Sequence, residues 1–270
     1  MGLEDSKMWL GVVTIFPDLV RASLKEGVVG RAIDRGDISL ETINPRDYPL
    51  NSYGSVDDRP FGGGPGMVMA AEPLAACVQV ARERVRPHIL KTVLLSPQGT
   101  RFSQSLATEL SQLDALLLVA GRYEGVDERF ITNYVDLEIS IGDYVLSGGE
   151  LAASVVVDVI GRYIEGTVSN PESIECESFT DDLLDCPQYT RPRVFEGVEV
   201  PAVLLSGDHR AVERWRHQQR IEKTWKRRPD LLVQRVNEEA ESAELRNCVL
   251  NAQPANLETV EEESLCEITK

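Results

Sequence analysis

Three short runs bring glycine, hydroxyl and carboxyl residues together in a pattern that suits a ligand pocket. They are Ser96-Pro97-Gln98-Gly99, Gly121-Arg122-Tyr123-Glu124-Gly125 and residues 140–150, SIGDYVLSGGE. Each has few bulky side chains, so backbone N–H and C=O groups can reach an adenine edge or a ribose, and each follows a stretch that reads as a strand. In open α/β sheets, ligands bind in the crevice outside the carboxyl ends of the strands. One such run alone is ordinary turn chemistry; three converging from separate strands are better evidence of a site. The densest glycine run, residues 57–69 (DDRPFGGGPGMVM), fits either a flexible loop or a close approach of backbone to a ligand or another chain. It has no Gly-Lys-Ser/Thr, which excludes a P-loop. No G-x-G-x-x-G follows a strand, so a Rossmann dinucleotide site is unsupported.

A second kind of chemistry is offered near the C-terminus. Arg216, Arg220, Lys223 and Arg227 are spaced four, three and four apart, which on a helix makes one stripe. Trp215, Ile221 and Trp225 supply apolar bulk between them; the tryptophans read as core residues, and His209 and His217 as capping or packing residues. The stripe fits a solvated amphipathic face or a phosphate-binding ridge. The net charge of −16 argues by itself against a nucleic-acid partner, but the average hides an asymmetry. Residues 207–236 hold nine Lys/Arg against four Asp/Glu, and residues 237–270 hold two basic residues against nine glutamates. The contrast favours the phosphate-binding reading, with strong dependence on salt.

These groups need a scaffold, and the pattern supplies one. Residues 9–16 (WLGVVTIF) read as an apolar strand, after which Pro17-Asp18 opens a helix. Strands follow at 38–43, 92–95, 115–120 and 137–141, and helices at 103–110, 126–134 and 149–164. The alternation implies an α/β fold with a mostly parallel sheet covered on both faces. After Gly166 the periodicity stops. The expected organisation is a cofactor-binding domain over 1–166, a linker over 167–178, a smaller helical domain over 179–240 and an acidic tail over 241–270. Asp208 is placed to cap a helix that Pro229 ends. The tail's composition suggests disorder. No apolar run approaches the roughly 20 residues of a bilayer span, and residues 1–7 lack the order of a secretory signal. Five cysteines without Cys-x-x-Cys spacing and three histidines argue against a disulfide framework or a His-rich metal centre. A soluble cytoplasmic protein is the expectation.

The motifs GRYEGVDER (121–129), SIGDYVLSGGEL (140–151), DDRPFGGGPGM (57–67), LLDCPQYTRP (183–192) and WRHQQRIEKTWKRRPDLL (215–232) occur in an order and spacing that resemble the bacterial tRNA (guanine-N1)-methyltransferases. The similarity spans roughly residues 8–236. It implies S-adenosylmethionine as methyl donor and, as target, the guanosine immediately 3′ of the anticodon in tRNA. It also implies a deep trefoil knot at the carboxyl ends of the sheet and a homodimer with active sites at the subunit interface. The matching cofactor positions are Leu94, Pro97, Gly121, Glu124, Ile141, Gly142, Asp143, Tyr144, Val145, Leu146, Gly148 and Gly149. Magnesium assistance is implied too, without an identifiable ligand set.

Guanine N1 carries a proton at neutral pH, so a base must remove it before the nitrogen can attack a methyl group. A cation near O6 would stabilise the charge that develops there. By resemblance, Arg162 takes the second role; read by itself it is a cation at a helix C-terminus, favoured by the macrodipole. The family's base is the aspartate of Ser-x-x-x-Asp-Ser-Phe, and here the run is Ser173-Ile174-Glu175-Cys176-Glu177-Ser178-Phe179. Glu177 stands in that place with one more methylene, and Asp181 and Asp182 are nearby alternatives. Ala152 and Gln188 also depart from the family's usual proline and histidine. Two rival readings are a knotted methyltransferase acting on RNA ribose 2′-hydroxyls and a catalytically impaired RNA-binding homologue.

Overall fold

The computed structural model describes residues 6–170, 174 and 177–232. The chain divides between Pro171 and Glu172 into two compact units. In the first, five parallel strands form a sheet in the order β2-β1-β6-β5-β7. They are β1 (Met8–Val13), β2 (Ile38–Ile43), β5 (Leu90–Arg101), β6 (Ala115–Ala120) and β7 (Leu137–Ser140). Every residue of β1 (MWLGVV) and β6 (ALLLVA) is buried, as a parallel sheet covered on both faces requires. The edge strand β2 buries only its two end residues.

Alternation along β1 sends side chains to two cores. Met8, Leu10 and Val12 join one core with α1 (Pro17–Ser23), α2 (Gly27–Arg35), α4 (Gln104–Leu110) and α6 (Glu150–Gly161). Trp9 and Val13 join the other, with α3 (Ala71–Val85) and α5 (Glu128–Tyr134). Local signals set the helix ends. Pro17 opens α1, and the Ser103 hydroxyl accepts from Leu106 N–H at 3.3 Å to start α4. Gly36, at φ 84°, closes α2 by donating to the carbonyls of Ala32 and Ile33. Asp127 caps α5 by accepting from Arg129 N–H at 2.9 Å. The Arg129 guanidinium bonds the same carboxyl and holds it below the usual carboxylate range.

Two helices carry no expectation from the sequence, α2 and α3, and the third strand runs well past Leu95. The helix expected over 149–164 is shorter, ending at Gly161 with Arg162 as its C-cap.

The second unit has a small core of Leu183, Ile221 and Leu232 with Trp225 against it. Its main element is α7 (His209–Arg227), capped by Asp208, which accepts from Ala211 N–H at 3.1 Å. A two-stranded hairpin, β8 (Val194–Phe195) and β9 (Val198–Glu199), precedes it. The acidic stretch 241–270, with residues 233–240, lies outside the described residues. Among the described residues no helix is long and apolar enough to cross a membrane.

Candidate functional site

The three loops singled out by their composition meet at one end of the sheet. Ser96-Pro97-Gln98-Gly99 is not a turn after a finished strand. β5 pairs with β7 at Val93–Leu95 and again at Thr100–Arg101, with a register shift between Leu95 and Thr100. The intervening residues bulge from the ladder, and Gln98 N–H donates to the Ser96 hydroxyl at 3.1 Å. Gly99 lies against the Glu138–Ile139 peptide.

After β6 the chain turns through Tyr123 at φ 60° and Gly125 at φ 136°. The glycine-rich run resolves here as well. Its arms form a short antiparallel pair, β3 (Asp57–Asp58) and β4 (Val68–Met69). Met67 and Met69 then zip onto the turn. Glu124 N–H donates to Met67 O at 2.9 Å, Met69 N–H to Gly125 O at 2.9 Å, and Asp127 N–H to Met69 O at 3.0 Å. Gly66 sits where a Cβ would fall 2.4 Å from Glu124 Oε1. The close approach that Gly66 permits is to this chain's own loop.

Beyond β7, Gly142 at φ 149° lets the Tyr144 ring fold back, and Tyr144 Oη donates to Ile141 O at 3.2 Å. The loop returns to β6, where Gly149 N–H donates to Gly121 O at 2.9 Å. A Cβ on Gly149 would stand 2.7 Å from Ala120 Cα.

Together the loops enclose a cavity of about 340 Å³, within the range of small-molecule sites. Leu94 and Pro97 line it from β5, and Gly121 and Glu124 from the turn after β6. Ile141, Gly142, Tyr144, Val145, Leu146, Gly148 and Gly149 line it from the last loop. Of the expected cofactor positions, Asp143 alone does not line the cavity and is exposed. Glu128, Glu138 and Ala152 line it without having been expected. Glu128 belongs to the 121–129 motif but opens α5, and Glu138 lies within β7, so their places on regular elements gave no sign that they face a cavity.

Behind this loop stands a buried ion pair. Glu150, fully buried, accepts from the Thr14 hydroxyl at 2.9 Å and from Arg122 Nε at 2.8 Å. Arg122 Nη1 donates to Ser147 O at 3.0 Å.

Arg162 and Glu177 belong to different units. Arg162 is half-buried, with its N–H on Asp158 O at 3.3 Å. Glu177 is half-buried at the start of the described part of the second unit. The basic stripe of α7 is divided in use. Arg216 and Arg227 are exposed. Arg220 is turned inward onto Asp181 at 3.1 Å, and Lys223 Nζ donates to Asp185 O at 2.9 Å. Trp215 packs against Tyr189 with ring centroids 6.3 Å apart. Gln188 donates to Asp185 at 3.2 Å within the same unit. Among the described residues, no group of three or more His, Cys, Asp or Glu side chains could hold a metal ion.

A family model described as tRNA (Guanine-1)-methyltransferase TrmD matches residues 8–234. Among curated proteins, the tRNA (guanine-N(1)-)-methyltransferase of Pseudomonas paraeruginosa is 52% identical over 231 residues, covering 86% of this chain and 92% of its own length. The protein of the same name from Nitrosospira multiformis is 54% identical over 225 residues, covering 82% and 88%. That from Tolumonas auensis is 51% identical over 225 residues, covering 83% and 90%.

Proposed function

The chain belongs to the tRNA (guanine-N1)-methyltransferase family, and from that premise we propose that it methylates N1 of the guanosine immediately 3′ of the anticodon in tRNA. The observation that carries this reading is the convergence of three loops on one cavity at the carboxyl ends of β5, β6 and β7.

The cavity suits S-adenosylmethionine by the chemistry of its walls. Leu94, Ile139, Ile141, Leu146 and Ala152 offer apolar surface to a flat ring. The loop over residues 141–149 offers backbone polar groups to a heterocycle edge. Glu124, Glu128 and Glu138 offer carboxyl groups to hydroxyls and an ammonium. When bound, the cofactor supplies a methyl group already activated on a sulfonium. Magnesium is assigned no ligands and no step.

Glu177 acts as the base in this reading, taking the N1 proton of guanine, with Asp181 and Asp182 as the nearby alternatives. A positioned base of this kind contributes about 10²–10⁴-fold. Its additional methylene, relative to the family's aspartate, is accommodated by a small backbone adjustment. Arg162 stabilises the charge that develops on O6. Arg216 and Arg227 contact phosphates, being the exposed members of the stripe on α7.

The reading includes a knot, supported by the return of the loop after β7 to bond Gly121 at the end of β6. It includes a homodimer as well. Leu19 on α1 and Leu151 and Val155 on α6 are each 40–49% exposed, and a second copy would cover that apolar surface.

The deciding experiment incubates the purified protein with tRNA and methyl-labelled S-adenosylmethionine, then digests the product to nucleosides. Label in 1-methylguanosine is the expected result. Label on a ribose would favour a 2′-hydroxyl methyltransferase, and no incorporation would favour an RNA-binding homologue.

A further inference from the structure

The pair formed by Arg122 and Glu150 has no part in the reaction derived above, yet its geometry reaches the cavity. Glu150 has no exposed surface. Thr14, at the end of β1, occupies Oε1, and Arg122 Nε occupies Oε2. The other branch of the guanidinium holds Ser147 O, in the loop that closes the cavity. The same group lies 4.5 Å over the Phe16 ring. Gly148 lies against it too, where a Cβ would fall 2.1 Å from Nε. One side chain thus joins the end of β1, the turn after β6, the cavity loop and the first turn of α6.

An ion pair serving the core alone would not need a bond to a loop carbonyl. We propose that Arg122, seated by Glu150, is a positioning residue that holds residues 146–149 in the form that accepts S-adenosylmethionine. It thereby sets cofactor affinity more than the rate of methyl transfer. This inference rests on assigning the cavity to the cofactor. Arginine is required because its planar fork serves two acceptors in fixed directions. A lysine at 122 can satisfy Glu150 or Ser147, not both. It keeps a cation beside the buried carboxyl, so the fold is retained.

The test is calorimetric titration of S-adenosylmethionine into the full chain and its Arg122→Lys, Glu150→Gln and Ile141→Glu variants. Thermal melting and steady-state kinetics on tRNA run alongside. Arg122→Lys is expected to weaken binding by about tenfold, the loss associated with a hydrogen bond to a charged group. KM for the cofactor should rise in step, while kcat at saturating cofactor changes by less than about threefold. Glu150→Gln, which does not line the cavity, should weaken binding in the same direction. Should Arg122→Lys fail to fold, this second variant carries the test. Ile141→Glu places a charge in the cavity and should abolish binding. If it does so while both network variants bind within about twofold of the wild type, the positioning role is overturned and the cavity assignment stands. If Ile141→Glu binds as well as the wild type, both fall. A loss confined to kcat would also overturn the inference.

Discussion

Gly99 and Glu138 meet backbone to backbone: a methyl group on Gly99 would stand 2.4 Å from the Glu138 carbonyl carbon and 2.4 Å from the next nitrogen. Neither neighbour is a side chain that could swing away. Gly99→Ala should therefore part β5 from β7 at the bulge, costing about 1–3 kcal/mol of stability as overpacking does. Denaturant unfolding would measure this, and cofactor affinity should fall with it because Pro97 lines the cavity.

Removing the proposed base should separate chemistry from binding. Glu177→Ala is expected to slow single-turnover methylation by about 10²–10⁴-fold while cofactor affinity changes little. Retained turnover would move the role to Asp181 or Asp182, and Glu177→Asp should be active.

Arg162→Ala should cost rate more than tRNA affinity, with kcat falling by about 10²–10³-fold, as when one donor to a developing oxyanion is removed. Equal losses in kcat and in tRNA binding would make it a binding residue.

The four basic residues of α7 should divide by exposure. Arg216→Ala and Arg227→Ala should each weaken tRNA binding and lower the salt slope by about one, leaving melting unchanged. Arg220→Ala should instead destabilise the second unit, because it removes a mostly buried side chain that packs there and bonds Asp181. Affinity measured across a salt series, with melting curves, distinguishes the two classes.

Burial pushes the Cys77 thiol up to about 12, with Asp47 adding to the effect. The folded value lies above the unfolded one, near 9. The resulting stability is present in full below pH 9 and is lost as pH rises towards 12. Cys77→Ala should flatten that part of the alkaline stability profile. In the folded wild type at pH 8, iodoacetamide should leave Cys77 unmodified, read by peptide mass mapping, and urea should expose it.

The sequence conveyed the architecture wherever one residue pattern had one outcome. The run ALLLVA can only be buried on both faces, and β6 matches its expected bounds of 115–120. Asp208 and Pro229 bracketed α7 because capping and ring closure act locally. α3 has no counterpart among the expected elements, although Leu74, Cys77, Val78, Ala81 and Val85 recur at helical spacing and are all buried. Pro97 and Gly99 read as the end of a strand, yet pairing with β7 resumes at Thr100, which only the partner strand could reveal. The loops of the site were legible from glycine and hydroxyl content. The Arg122–Glu150 pair was not, since an acid opening an apolar helix reads as a response to the helix dipole. Likewise the stripe on α7 was visible as a spacing, while the acceptors that draw Arg220 and Lys223 inward lie some forty residues earlier.

Helix α6 begins at the closing loop of the cavity and ends at Arg162. Its 12 residues make a rod of about 18 Å. Atoms exchanging a methyl group must approach to about 3 Å. A single copy therefore keeps the loop over residues 141–149 and its Arg162 at opposite ends of a stiff spacer. A reaction centre that uses both would take one from each of two chains, so mixing an Arg162→Ala protein with a loop-defective one should raise turnover well above that of either alone.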